Sequence, residues 1–138
     1  MKMKHAISFL LCLGLLLSAC ENKRDDNGDL GGMWQMTLWT NAQGDTLATN
    51  QTGIYYHFQL NVMKVQRQHL NYYLMRFAHK EDSLLVGTTF AQPFDSIVSH
   101  DKLAPYGVPA DGRFRIDALN DSRMQLSGSS GVLQFRKY

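Results

Sequence analysis

Residues 54–67 read IYYHFQLNVMKVQR, and apolar and polar side chains alternate along most of this stretch. A period of two is typical of a β-strand that buries one face, because successive side chains of a strand point to opposite sides. The predicted inward side chains are Tyr56, Phe58, Leu60 and Val62, and the predicted outward ones are His57, Gln59, Asn61 and Met63. This stretch therefore predicts a sheet protein.

The next apolar stretch, LNYYLMRFAHK at 70–80, also alternates and places three bulky apolar residues on one face. If the two stretches pair antiparallel with Phe58 opposite Met75, both apolar faces coincide. The turn of this predicted hairpin is then centred on Gln66 and Arg67. That pair lacks the Asn-Gly chemistry of a tight hairpin, so a longer loop and a one-residue slip both remain open.

Further short strands are predicted wherever the alternation resumes between turn-forming residues. They cover 33–40, 45–50, 83–89, 113–119, 123–127 and 132–137. The stretch 90–109 carries three prolines and is expected to hold a broken strand and a helical turn near 101–104. About eight strands without a long amphipathic helix predict an all-β fold, a small antiparallel up-and-down barrel.

Residues 1–19 have the composition of a targeting segment, with a basic start followed by an apolar run. The run is too short to span a bilayer comfortably, so a cleaved signal peptide is predicted. The sequence LSAC at 17–20 resembles the lipobox at which bacterial lipoproteins are cleaved and acylated on the cysteine. The resemblance implies that Cys20 is lipidated, that membrane lipid is a partner, and that the protein is anchored in the cell envelope at the outer membrane. A plain secretory signal with a nearby cysteine is the alternative.

The charge of the mature chain is balanced. The sequence has fourteen basic and twelve acidic residues, and loss of Lys2 and Lys4 with the signal peptide makes the two numbers equal. A neutral domain gives no reason to expect nucleic acid as a partner. Residues 20–31 are mostly charged or polar and are predicted to be a lipidated, flexible tether, which leaves 32–138 as one domain.

The two ends of the predicted barrel carry a family resemblance. Gly32-Met33-Trp34 is similar to the Gly-x-Trp sequence that opens the first strand of lipocalins, and FRKY at 135–138 places Arg136 near the end of the last strand. In lipocalins an arginine at this place packs across that tryptophan, so the resemblance implies that Gly32, Trp34 and Arg136 close one end of the barrel. A cation over an indole contributes about 1 kcal/mol. The alternative is an ordinary core tryptophan and an exposed arginine.

The chain as a whole looks like the small lipocalin-like lipoproteins of Gram-negative bacteria, whose functions are largely unassigned. It is shorter than true lipocalins and shows no clear Thr-Asp-Tyr motif in its middle loops. The resemblance therefore implies a fold more than a ligand.

Residues with catalytic or metal-binding chemistry are scattered along the chain. His57, His69, His79 and His100 show neither His-x-His nor His-x-x-x-His spacing, so no metal site is expected. The sequence LSGSSGV at 126–132 lacks the Gly-x-Ser-x-Gly spacing of a nucleophile elbow, and the acidic residues lie on separate predicted loops and strand starts. We expect neither an enzyme nor a cofactor.

The remaining candidate site is the inside of the barrel. The predicted lining is Trp34, Met36, Tyr56, Phe58, Tyr73, Met75, Phe77, Phe114 and Phe135. An eight-stranded barrel can be filled by such side chains or can enclose a cavity for one small ligand. Two functions remain open: binding of a small apolar ligand in the barrel, and docking of an envelope protein by a filled barrel through its rim or through Trp39, Tyr55 and Tyr72.

Overall fold

The computed structural model describes residues 27–92 and 96–138. The strands within these residues are β1 (Gly32–Thr40), β2 (Thr46–Thr49), β3 (Ile54–Gln59), β4 (Val62–Arg67), β5 (Tyr73–Lys80), β6 (Ser83–Ala91), β7 (Ser96–Val98), β8 (Arg113–Leu119), β9 (Arg123–Gly128) and β10 (Gly131–Lys137). Short 3₁₀ turns lie at Gly28–Leu30, Asn50–Thr52 and His100–Tyr106. The last of these confirms the helical turn predicted near 101–104.

Eight of the described strands form a closed antiparallel ring in the order β10-β9-β8-β6-β5-β4-β3-β1, with β10 paired to β1. The prediction of an all-β, eight-stranded antiparallel barrel is confirmed. Two short strands lie outside the ring: β2 adds to β1, and β7 adds to β6. Closing the ring leaves no long unpaired strand edge, which stabilises a sheet of this size.

The predicted hairpin between 54–67 and 70–80 is wrong, because the first stretch forms two strands. The chain reverses at Leu60 and Asn61, where Leu60 has a φ of 54° and is 62% exposed. Phe58 pairs with Met63, and Met63 pairs in turn with Met75. The prediction that Met63 points outward is wrong, because the reversal shifts the alternation by one residue and Met63 is fully buried. An apolar residue, Leu60, occupies this turn, so the alternation of the sequence continues across the reversal and gives no sign of it.

The ordered domain begins earlier than residue 32. In the turn Gly28–Leu30, Leu30 is fully buried, and the indole nitrogen of Trp34 donates a hydrogen bond of 2.8 Å to the Leu30 carbonyl oxygen. The prediction of a flexible tether up to residue 31 is therefore wrong for its last four residues, because one buried leucine anchors them. The predicted signal peptide and Cys20 lie outside the described residues.

The core lies inside the ring, and every member of it falls between Leu30 and Phe135. A chain that begins at residue 21 therefore keeps all of the described strands and the whole of this core. Burial of this apolar surface supplies most of the folding free energy of the domain.

Candidate functional site

The barrel interior gathers all nine predicted lining residues. Those fully or almost fully buried are Trp34, Met36, Tyr56, Phe58, Met75, Phe114 and Phe135, and the half-buried Tyr73 and Phe77 pack against the same cluster. The ring centroids of Tyr56 and Phe135 are 4.8 Å apart, and those of Phe58 and Phe77 are 5.2 Å apart. At these distances the side chains contact one another, so the predicted lining forms the packed core of the barrel.

Tyr56 brings a polar hydroxyl into this core. Its hydroxyl donates a hydrogen bond of 2.7 Å to the carbonyl oxygen of Tyr106. Burial raises the pKa of Tyr56 well above its ordinary value of 10.0. The phenol therefore stays protonated at neutral pH and acts as a hydrogen-bond donor, not as a base or a nucleophile.

One end of the barrel is crossed by residues 99–112, which we call the covering segment. It buries Leu103, Tyr106 and Val108 against the core. Gly107 has a φ of 84°, and a Cβ placed there would lie 2.7 Å from a side-chain carbon of Leu133. A glycine is required here, because the covering segment turns directly on the core.

Hydrogen bonds hold the covering segment to the strands around it. The Tyr106 hydroxyl donates to the carbonyl oxygen of Asn71, and Arg67 donates to the carbonyl oxygen of Pro105 over 2.6 Å. Nε2 of His100 lies 2.8 Å from the carbonyl oxygen of Gly87. The segment is thus tied to β4, to the loop before β5, and to β6.

Two titratable groups of the covering segment have shifted pKa values. Desolvation raises the pKa of Tyr106, the nearby Tyr73 raises it further, and Arg67 lowers it. The hydrogen bond from Ser99 lowers the pKa of the exposed Asp101. The two shifts act in opposite directions, one on a side chain that packs against the core and one on an exposed carboxylate.

The opposite end of the barrel is closed by a lysine. Nζ of Lys137 lies 4.6 Å from the ring centroid of Trp34 and donates hydrogen bonds to the carbonyl oxygens of Asp29, at 2.8 Å, and Gly31, at 2.6 Å. Gly32 lies beside it in a backbone conformation with a φ of 107° that favours glycine. The predicted Gly-x-Trp closure is present, with a different cation.

The expectation that Arg136 packs across Trp34 is wrong. Arg136 is exposed, and its Nε donates a hydrogen bond of 2.7 Å to Oε1 of Gln35 on the outer side of the barrel. The reason is the strand alternation: Phe135 points inward, so the residue after it points outward.

Within residues 27–92 and 96–138, no group of three or more His, Cys, Asp and Glu side chains is placed to hold a metal ion. The same part of the chain contains no helix that is long and apolar enough to cross a membrane. The ion pair between Arg115 and Asp117, at 3.6 Å, is an exposed surface contact.

The outer surface carries open grooves that sequence reasoning missed. One of about 440 Å³ is lined by residues that include Tyr55, Gln66, Arg67 and Tyr72. A second, of about 300 Å³ and mostly apolar, is lined by Val62, Leu74, Met75, Arg76, Phe90 and Gln92. Residues 46–80, which supply most of both linings, contain no Asp or Glu.

The three aromatic residues predicted to dock a partner are placed differently from one another. Trp39 is only 8% exposed, and its indole donates a hydrogen bond of 2.8 Å to the Ser130 carbonyl oxygen, so the expectation of an exposed Trp39 is wrong. Tyr55 packs edge-on against Tyr138 at 5.5 Å. Tyr72 is exposed, with Nζ of Lys64 4.5 Å from its ring centroid.

A family model described as a lipocalin-like domain matches residues 15–138. The chain belongs to the family of lipocalin-like domains. The match spans every strand of the closed eight-stranded ring. No curated protein matches this lipocalin-like chain.

Solved structures share the fold of this lipocalin-like domain. A lipocalin-like protein from Bacteroides uniformis is 20% identical with a TM-score of 0.60, covering 80% of this chain and 100% of its own. An uncharacterized protein from Bacteroides eggerthii is 19% identical with a TM-score of 0.54, covering 79% and 99%. A protein from Burkholderia xenovorans is 17% identical with a TM-score of 0.52, covering 78% and 81%. At these identities the likeness concerns the fold alone.

Proposed function

We propose that this lipocalin-like protein is a lipid-anchored, non-enzymatic interaction module of the cell envelope, in which the barrel interior is structural and the outer surface binds. The observation that supports this most is the packed interior, in which Tyr56 is fully buried and bonded to the covering segment. The grooves along β3, β4, β5 and β6 give the outer surface concave sites for a partner.

The anchor is proposed from the lipobox-like LSAC sequence at 17–20. Acylation of Cys20 would hold the protein at the outer membrane. One acyl chain gives only weak membrane binding, whereas the cysteine of a bacterial lipoprotein carries several acyl chains.

Replacement of Cys20 by alanine is expected to move the protein from the membrane fraction to the soluble fraction of its host. Cys12→Ala, a change inside the predicted signal peptide, is the matched control and should leave the protein in membranes. A Cys20→Ala protein that still partitions with membranes would refute the anchor.

A small apolar ligand inside the barrel is the second candidate function. It is favoured by the covering segment, whose displacement would open the core at Tyr56 and Phe114. The test is native mass spectrometry of protein purified from host membranes and released by proteolysis, compared with the denatured mass of the same sample. A mass lost on denaturation would identify a bound ligand and would move the assignment to the barrel interior. Equal masses would support the filled barrel.

A further inference from the structure

We propose that the domain lies against anionic lipid with one defined side of the barrel, which we call the basic face. Its members are the outward side chains of Val62, Lys64, Leu74, Arg76, Phe90 and Ile97. The inference rests on the proposed lipid anchor for its biological setting, and it adds an orientation and a lipid class to that anchor. The observations that carry it are the placement of apolar groups, the distribution of charge and the point where the tether joins the barrel.

The apolar part of the basic face forms a row across neighbouring strands. Ile97 pairs with Phe90, Phe90 pairs with Leu74, and Leu74 pairs with Lys64. These side chains point outward because the next residues along the strands, such as Met63 and Met75, are buried in the core.

The row leaves apolar surface in contact with solvent. Ile97 is 74% exposed, and Leu74 and Phe90 are half-buried beside the mostly apolar groove of about 300 Å³. Apolar side chains at this position can enter the boundary between headgroups and acyl chains, as they do in proteins that bind membrane surfaces.

The charged side chains within the basic face have one sign, because its two charged members are Lys64 and Arg76. Residues 46–80, which include all of β3, β4 and β5, contain four cations, Lys64, Arg67, Arg76 and Lys80, and no Asp or Glu. The strands β8, β9 and β10 also carry more cations than anions, but there Arg115 forms an ion pair with Asp117. A cationic surface with apolar groups between its charges complements an anionic lipid surface.

The chain joins the barrel at the edge of the basic face. Nδ2 of Asn27 donates a hydrogen bond of 2.8 Å to the carbonyl oxygen of Leu60, in the turn between β3 and β4. Seven residue steps separate Cys20 from Asn27, and a fully extended chain spans at most about 3.6 Å per residue, so Asn27 stays within roughly 25 Å of an acylated Cys20. Even a weak affinity of the basic face for lipid is enough to orient the barrel on the membrane, because the tether keeps the face at a high effective concentration near the lipid surface.

The test uses residues 21–138 without an acyl group, so it does not depend on Cys20. Vesicles of phosphatidylcholine alone and vesicles that also contain phosphatidylglycerol are sedimented with the protein. We expect binding to the anionic vesicles only, and less binding as the salt concentration rises. The double change Lys64→Gln and Arg76→Gln should weaken binding by about tenfold or more, since each basic residue near an anionic surface contributes roughly fivefold. Arg113→Gln with Arg123→Gln, two exposed arginines of β8 and β9, is the charge-matched control and should bind like the parent.

Orientation is read independently, because residues 21–138 contain no cysteine. A polarity-sensitive fluorophore on Ile97→Cys should shift to the blue when anionic vesicles are added. The same probe on Gln134→Cys, an exposed site of β10 on the opposite side of the ring, should not shift. Three results would each overturn the basic face. They are no binding to anionic vesicles, an equal loss of vesicle binding in the Lys64/Arg76 and Arg113/Arg123 double variants, and equal fluorescence shifts of the two probes. A Cys20→Ala protein that stays in the membrane fraction would overturn the anchor, but it would not affect the conclusion from the vesicle experiment.

Discussion

The hydroxyl of Tyr56 on β3 donates a buried hydrogen bond of 2.7 Å to the main-chain carbonyl oxygen of Tyr106 in the covering segment. It joins the centre of the core to the segment that crosses one end of the barrel. The bond therefore couples the packing of the interior to the position of this segment.

Tyr56→Phe is expected to destabilise the domain by about 1–2 kcal/mol, because it leaves a buried carbonyl oxygen without its donor while the ring packing is kept. Urea unfolding of the two chains measures the difference. Tyr72→Phe, on the outer surface, is the control and should change the free energy of unfolding by less than about 0.5 kcal/mol. Equal effects of the two changes would contradict the role of the Tyr56 bond.

The free energy of unfolding should fall at alkaline pH, and the ionisation of Tyr56 should account for part of the fall. Burial raises the pKa of the folded-state hydroxyl above 10.0, so above that pH the unfolded chain loses a proton that the folded chain retains. The stabilising contribution is present below pH 10 and is lost as the pH rises toward the folded-state pKa. The difference in unfolding free energy between the parent and Tyr56→Phe should therefore shrink above pH 10. Urea unfolding at a series of pH values measures this difference in unfolding free energy, and a difference that stays constant above pH 10 would refute the prediction.

Lys137→Met is expected to destabilise the domain by about 1–2 kcal/mol, because it removes the ammonium over Trp34 and its two hydrogen bonds to carbonyl oxygens while it keeps an apolar stem. Arg136→Met removes an exposed charge and one hydrogen bond, to Gln35, and should cost less because no ring contact is lost. Thermal or urea unfolding distinguishes them. A larger loss of unfolding free energy in Arg136→Met than in Lys137→Met would show that Arg136, and not Lys137, closes this end of the barrel.

Leu30→Ala should destabilise the barrel by about 2–4 kcal/mol, since it opens a cavity at a fully buried site next to Trp34. Leu47→Ala is the matched control, because Leu47 is 46% exposed on β2. Its expected effect is below about 0.5 kcal/mol. If both changes have the same effect on urea unfolding, the turn Gly28–Leu30 is not part of the folded domain.

The local pleat of a strand made much of this fold predictable. Alternation every second residue is a property of the backbone, so the inward placement of Tyr56, Phe58 and Phe135 followed from the sequence without knowledge of their partners. The same rule applied at the end of β10 would have excluded Arg136 from the interior, because Phe135 occupies the inward position just before it.

The reversal at Leu60 and Asn61 was not predictable from alternation. A turn requires a few residues with suitable φ and ψ angles, and an exposed leucine with a positive φ gives no sign of one in the sequence. The predicted total of eight strands was correct although its members differ: 54–67 supplied two strands of the ring, and β2 lies outside it.

The sequence by itself determined the all-β character, the apolar residues that fill the barrel, and the expectation of an anchor at Cys20, because each depends on composition or on neighbours along the chain. The tertiary structure decided which strands pair, which cation covers Trp34, how residues 99–112 cross the barrel, and which outward side chains combine into the basic face. These features depend on contacts between residues far apart in the chain, such as Tyr56 with Tyr106. Such contacts arise only when the ring closes, since closure sets the register of every strand at once.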